Sequence, residues 1–148
     1  MESRGRKRTE VVAGLIFKNG RVLVCQRSRN TAFPLKWEFP GGKVERREQL
    51  ENALRRELRE ELGIEIDNAE KICHYQYTYT TGFKVNLTFF RIKKYRGRLK
   101  NLVFQKIVWV KFTELLQFDF LEGDLILIQE LVDLGAARLL TMPLARNQ

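Results

Sequence analysis

Gly42 is followed after five residues by Glu48, and after seven more by Arg56 and Glu57; Leu58, Arg59, Glu60, Glu61, Leu62, Gly63 and Ile64 complete the run. On a helix turning about 100° per residue, with Glu57 at zero, Leu50 lies at about 20°, Leu54 at about 60°, Leu58 at about 100°, Glu61 at about 40° and Glu60 at about 300°. Glu57 and Glu61 thus fall within the leucine stripe, with Glu60 beside it. Three carboxylates within one turn repel one another, and burying them unpaired is costly. Arg56 can pair with Glu60 four residues on, but one guanidinium does not balance three acids. Mg²⁺ would, because it prefers oxygen ligands and keeps positions open for water and phosphate. That is the chemistry of phosphoryl or nucleotidyl cleavage. The same spacing also fits a solvated face laced by pairs between the glutamates and Arg55, Arg56 and Arg59. The acids' place in the apolar phase favours the metal.

The elements that must position these groups can be read on either side. Thr9 to Lys18 and Arg21 to Arg27 are apolar runs joined by Asn19-Gly20, a hairpin signal. Ser28 to Lys36 reads as a loop, and Trp37-Glu38-Phe39 as a short extended piece stopped by Pro40-Gly41-Gly42. Leucines every four residues predict a helix from about Arg47 to Leu62, closed by Gly63. Strands are expected over Ile72–Tyr79 and Lys84–Lys93, with Thr81-Gly82 between them, and over Phe104–Lys111 after a basic loop from Tyr95 to Leu102. A helical turn near Phe112–Leu116 and a last helix from Asp124 to Leu134, ended by Gly135, complete the pattern, with a mobile tail after Leu140. Strands interspersed with two main helices predict a layered α/β arrangement around a mixed β-sheet.

Composition narrows the function classes. The chain of 148 residues, 44% apolar and 30% charged, suits one globular domain, expected to span 1–148 with its core at about 9–134 and mobile tails. No apolar run approaches membrane-spanning length, and Met1 to Arg8 has no apolar stretch behind it, so a cytoplasmic protein is expected. Cys25 and Cys73 form no CxxC pair and are expected as buried thiols. His74 is the only histidine, so any Ser-His-Asp or Cys-His triad would need it; a structural role on a strand is expected. The net charge of +9 fits either a nucleic-acid surface or a small phosphorylated ligand, with Arg4, Arg6, Lys7 and Arg8 in an N-terminal tail.

The segment Gly42–Ile64 resembles the Nudix box, G-x5-E-x7-R-E-U-x-E-E-x-G-U, with every specified position filled and Leu58 and Ile64 at the aliphatic sites. A chance match is on the order of 10⁻¹⁰ per starting position from average residue usage. The preceding Trp37-Glu38-Phe39-Pro40-Gly41-Gly42-Lys43, the hairpin ending in Gln26-Arg27 and the strand ending in Trp109-Val110 look like the MutT branch, which includes 8-oxo-dGTP diphosphatases and CTP pyrophosphohydrolases.

The resemblance implies an α/β/α sandwich and a pyrophosphohydrolase that cleaves a (d)NTP to nucleoside monophosphate and pyrophosphate. It implies Mg²⁺, or Mn²⁺ in its place, on Glu57, Glu60, Glu61 and the main-chain carbonyl of Gly41. Arg56 and Glu48 would orient that cluster, as outer groups do at metal sites. Arg27 and Lys43 match positions that contact phosphate or base, and Asp124 matches one that reads the base edge. An ionised Asp124 would only accept hydrogen bonds, favouring a base edge rich in N–H donors. As a plain helix N-cap it would do neither. Tyr75, Tyr77, Tyr79, Phe83 and Phe89 are candidates either to stack a base or to pack the core. The chain departs from the branch at Val103, two residues before Gln105, where a loop glutamate usually stands. Glu57 then becomes the leading general base.

A nucleotide is the expected partner, with no membrane or nucleic acid, and the chain as monomer or homodimer. Two other readings stay open: a Nudix hydrolase of a nucleotide sugar or dinucleotide, and a non-catalytic basic nucleic-acid-binding module.

Overall fold

The computed structural model describes residues 8–141, and side chains as far as Leu134. Nine elements follow in chain order: β1 (Thr9–Lys18), β2 (Arg21–Gln26), β3 (Trp37–Glu38), β4 (Gly41–Lys43), α1 (Leu50–Leu62), β5 (Glu65–Thr78), β6 (Lys84–Arg96), β7 (Lys106–Lys111) and α2 (Leu125–Thr141). The turn between β1 and β2 has positive φ at both Asn19 and Gly20, the conformation for which Asn-Gly is selected.

The sheet runs β3-β2-β1-β6-β5, with β4 also on β1 and β7 on β2. β1 and β6 are parallel, from Thr9↔Val85 to Ile16↔Ile92, while their other pairings are antiparallel. The sheet is therefore mixed, as expected. Alternation along β1 builds the two cores. Val12 and Ile16 face Leu54, Leu58 and Leu62 of α1 on one side. Ala13 and Leu15 face Leu127, Ile128 and Leu131 of α2 on the other. Burying one such leucine contributes about 2 kcal/mol. This is the α/β/α layering anticipated from the sequence.

Several boundaries differ. α1 starts at Leu50 rather than near Arg47, because Arg47 sits at φ 65°, outside helical space. β5 begins at Glu65, seven residues before the expected Ile72. Register shifts between Ile66 and Asn68, Asn68 and Ala69, and Lys71 and Cys73 break its alternation, so no period of two marks that half of the strand. β6 continues to Arg96, into the expected loop. β4 was expected only as a stop, yet Gly41–Lys43 pairs with Val11–Ala13. Gly135 does not end α2, which continues to Thr141. The Ala-Ala-Arg-Leu-Leu that follows consists of strong helix formers, and a mid-helix glycine costs only about 1 kcal/mol. Arg8 is not in a free tail: its guanidinium donates to the carbonyls of Tyr77 and Val85 at 3.0 and 3.1 Å. Arg4, Arg6, Lys7 and the segment after Thr141 lie outside the described residues. Cys25 and Cys73 are buried and unbridged, and His74 is exposed on β5.

Candidate active site

The acidic helix is presented to the sheet by close packing at two glycines. A Cβ on Gly41 would stand 2.0 Å from the Val12 carbonyl oxygen, and φ there is 153°. A Cβ on Gly42 would stand 2.5 Å from the carboxyl carbon of Glu57. Only bare backbone lets β4 pass between β1 and α1. The Gly41 N–H donates to Glu61 Oε1 at 3.1 Å. Glu57 and Glu61 are thus gathered against the Gly41–Gly42 backbone.

Arg56 braces the near side of this pair. It donates from Nε and Nη2 to Glu48 at 2.8 and 2.9 Å, and from Nη1 to Glu57 Oε2 at 3.0 Å. Its Nη2 also donates to the Lys43 carbonyl at 3.0 Å. The hydrogen bonds from Arg56 and from the Glu45 N–H hold the Glu48 carboxyl down to about 2. Its two bonds to Glu48 reinforce the cationic form of Arg56. The Glu48–Arg56 link spans eight residues and closes the loop between β4 and α1 onto the helix.

Glu60 does not join the pair. Its side chain is 59% exposed, against 16% for Glu57, and it reaches back to Arg56 at 3.6 Å. Of the expected trio, Glu57 and Glu61 converge on the glycine backbone, and Glu60 stands at the rim. The reason lies in helix geometry, since Glu60 points to the solvent side of the stripe shared by Glu57 and Glu61. Among the described residues, no three Asp, Glu, Cys or His side chains stand as a ready ion cage.

Another acid near the pair is one that the motif does not contain. Glu38 of β3 is largely shielded from solvent, and this lifts its carboxyl to about 7 against the opposing pull of Arg27, with Glu57 raising it further. Burial likewise lifts Glu61 to about 10, with Glu38 and Glu57 adding to the effect. Glu38 alternates with Trp37 and Phe39, so the sequence reads it as the outward residue of a short strand, and nothing local marked it as an acid facing the site. The donor set here is all oxygen, crowded with negative charge and seated on a cradle any Cβ would fill. It fits a hard divalent cation.

Beside the pair opens a cavity of about 360 Å³, lined among others by Gly41, Gly42, Lys43, Arg27, Glu38, Phe39, Phe33, Tyr79, Phe83 and Asp124. Arg27, Lys43 and Asp124, singled out from the sequence, all line it. Lys43 is exposed at its mouth. Arg27 is engaged: it donates to both Glu38 oxygens at 3.1 and 3.2 Å and to the Ala32 carbonyl at 2.7 Å.

Asp124 is buried at the end of the 3₁₀ turn Glu122–Asp124 that leads into α2. Burial raises its carboxyl well above the usual range, Glu38 adds to this, and the Phe39 N–H opposes it. Burial thus works against the ionised, accept-only form expected from the sequence, and a carboxyl in its protonated form can both donate and accept.

Of the aromatic candidates, Tyr79 and Phe83 line the cavity, joined by Phe33, which the sequence did not single out; ring centroids are 5.2 Å apart for Phe33–Tyr79 and 6.3 Å for Phe33–Phe83. Phe89 and Tyr75 belong to the core. Val103 is 52% exposed in the loop before β7. That loop is latched to the end of α1, with the N–H groups of Lys100 and Leu102 on the carbonyls of Leu62 and Glu61. The loop does stand beside the acidic pair, but it brings no carboxylate there.

Residues 7–131 match the NUDIX domain family. The chain is 37% identical over 132 residues to the CTP pyrophosphohydrolase of Escherichia coli (strain K12), covering 89% of this chain and 97% of that one. It is 32% identical to the 8-oxo-dGTP diphosphatase of Buchnera aphidicola subsp. Schizaphis graminum (strain Sg), covering 77% and 85%. Among solved structures, the E. coli ORF135 protein superposes with a TM-score of 0.77 at 36% identity, over 93% of this chain and 98% of that one. The MutT protein of Methanosarcina mazei Go1 follows at 0.75 and 26%, over 88% and 96%. With the family match spanning the glycine turn, the braced acidic helix and the cavity beside them, the chain belongs to the NUDIX domain family.

Proposed function

We propose that this protein is a Mg²⁺-dependent pyrophosphohydrolase that cleaves nucleoside triphosphates to monophosphate and pyrophosphate. The observation that carries this is the Glu57–Glu61 pair packed on the Gly41–Gly42 backbone, the same two glycines that line a cavity with Phe33, Tyr79, Phe83 and Asp124. The names of similar proteins, CTP pyrophosphohydrolase, 8-oxo-dGTP diphosphatase and nucleoside triphosphatase NudI, support the same substrate class.

Glu57, Glu61 and the Gly41 carbonyl would hold Mg²⁺, with Glu60 completing the set from the rim. The bound ion supplies charge neutralisation on the phosphates and a more acidic water. Glu57, whose Oε2 is held by Arg56, is the group assigned to take the proton from the attacking water. Glu48 keeps Arg56 aimed. Lys43, at the mouth, is assigned to the phosphates. Arg27 is assigned to hold Glu38 and the loop after β2 rather than to act as a free phosphate ligand. Asp124, with Phe33, Tyr79 and Phe83 around the same cavity, is assigned to the base. Asp124, pushed by burial toward its protonated form, would offer a donor as well as an acceptor, which suits a base edge that presents both. A cytoplasmic setting belongs to the same proposal, supported by two unbridged thiols. So does action as a single domain, in a monomer or homodimer.

The test is pyrophosphate release from CTP, dCTP, dGTP and 8-oxo-dGTP with Mg²⁺, repeated with EDTA. Turnover that EDTA abolishes is expected; no release from any of the four would overturn the triphosphate reading.

A further inference from the structure

Tyr75 and Tyr77 of β5, and Tyr79 just beyond it, reach the turn Glu122–Asp124 that leads into α2. The Tyr75 hydroxyl donates to the Gly123 carbonyl at 2.6 Å and accepts the Leu127 N–H at 3.3 Å. It is thus bonded to the residue just before Asp124 and to the third residue after it. Tyr79 closes on Gly123 so tightly that a Cβ there would fall 2.8 Å from its hydroxyl. Tyr77 and Thr80 hold the Glu122 carboxylate at 3.3 and 2.7 Å. From the opposite side, the Asp124 carboxyl meets the Phe39 N–H.

Tyr75 is 3% exposed, and its ring packs on Phe89 with centroids 5.7 Å apart. A position needing only packing is filled by phenylalanine, as Phe89 itself shows. The hydroxyl instead satisfies two backbone groups that flank Asp124. Deleting it leaves both unpaired in the core, which such groups do not tolerate without rearranging. The segment free to rearrange is the turn that carries Asp124.

We propose that Tyr75 is a positioning residue for nucleotide selection: by bridging the Gly123 carbonyl and the Leu127 N–H, its hydroxyl sets where the Asp124 carboxyl stands in the cavity wall. This rests on the reading of Asp124 as the group that meets the base. It adds a specificity determinant in the core on β5, outside the Gly42–Ile64 motif and outside the cavity lining.

The test is calorimetric titration of CMP, dGMP and 8-oxo-dGMP, with Mg²⁺, into the full chain and its Tyr75→Phe, Asp124→Ala and doubly substituted forms. Tyr75→Phe is expected to weaken the preferred nucleotide about tenfold and the others less than about twofold, the scale of a lost buried hydrogen-bond network. Asp124→Ala is expected to abolish the preference, and Tyr75→Phe to add no further loss on that background, the signature of action through one partner. Gly123→Ala, which pushes the same turn from the Tyr79 side, should reproduce the selective loss. Equal weakening of all three nucleotides, or the same loss with and without Asp124, would reduce Tyr75 to a structural residue and overturn the proposal. A preference that survives Asp124→Ala, or none in the unmodified chain, would overturn both roles while leaving metal-dependent pyrophosphate release to stand or fall separately.

Discussion

Arg56 grips Glu48 with two parallel hydrogen bonds of 2.8 and 2.9 Å across eight residues of chain. The pair closes the glycine turn onto the helix and leaves one Arg56 nitrogen to hold Glu57. A lysine could replace the charge but not the fork. Arg56→Lys is therefore expected to lower kcat/KM by about 10–100-fold and to raise the Mg²⁺ concentration for half-maximal rate, the range seen when outer groups at metal sites are lost. Rate against Mg²⁺ concentration checks this; an unchanged metal dependence would remove Arg56 from the site.

The same pair sets an acid response. Glu48 sits at about 2 in the folded protein against an ordinary 4.5. Its pKa is depressed by folding, so its stabilisation is complete above about 4.5 and fades as pH falls toward 2. Glu48→Gln is expected to lose stability at neutral pH and to show a shallower decline between those limits. Unfolding by urea at stepped pH, in EDTA, reads this directly. Parallel curves for the two proteins would refute it.

Gly42 lies against Glu57 with no room for a methyl group. Gly42→Ala is expected to abolish turnover by displacing the Glu57 carboxylate, with the melting temperature falling only a few degrees, the scale of about 1 kcal/mol in a small domain. Gly82→Ala, at φ 96° with nothing near its added carbon, should strain its turn yet keep turnover near normal. Pyrophosphate release and thermal melts on both variants separate the two effects; full activity in Gly42→Ala would mean that Glu57 need not stand where it does.

Arg27 and Glu38 form a pair with side chains 24% and 15% exposed. Arg27→Ala strands the Glu38 carboxyl, at a cost of about 2–3 kcal/mol, discounted for partial exposure from fully buried pairs. The folded pKa of Glu38 already lies raised at about 7 and would rise further without Arg27. A raised acid binds its proton more tightly when folded, so stability is greatest below the ordinary 4.5 and declines as pH climbs through the folded value. The destabilisation of Arg27→Ala should accordingly be larger at pH 8 than at pH 5. Denaturation midpoints at the two pH values decide it, and an equal loss at both would argue that the pair is not coupled to Glu38 ionisation.

The sequence by itself determined the family, the mixed α/β layering and the identity of the acidic helix. Those features are local: Leu50, Leu54, Leu58 and Glu57 declare one helix face by spacing alone, and Asn19-Gly20 declares its turn by backbone preference. Arg27, Lys43 and Asp124, singled out through their resemblance to a known pattern, line one cavity. Only the tertiary structure decided which acids converge. Glu61 and Glu38 are 23 residues apart and meet because β3 and α1 are brought together around β4, while Glu60, one residue from Glu61, turns away to Arg56. Only the structure showed the burial of Asp124, which together with Glu38 raises its carboxyl and depends on no neighbour in the chain. The early start of β5 stayed hidden because its register shifts erase the alternation that identifies a strand. The link from Tyr75 to Gly123, 48 residues away, stayed hidden because a buried hydroxyl's partner is chosen by packing, on which spacing along the chain is silent.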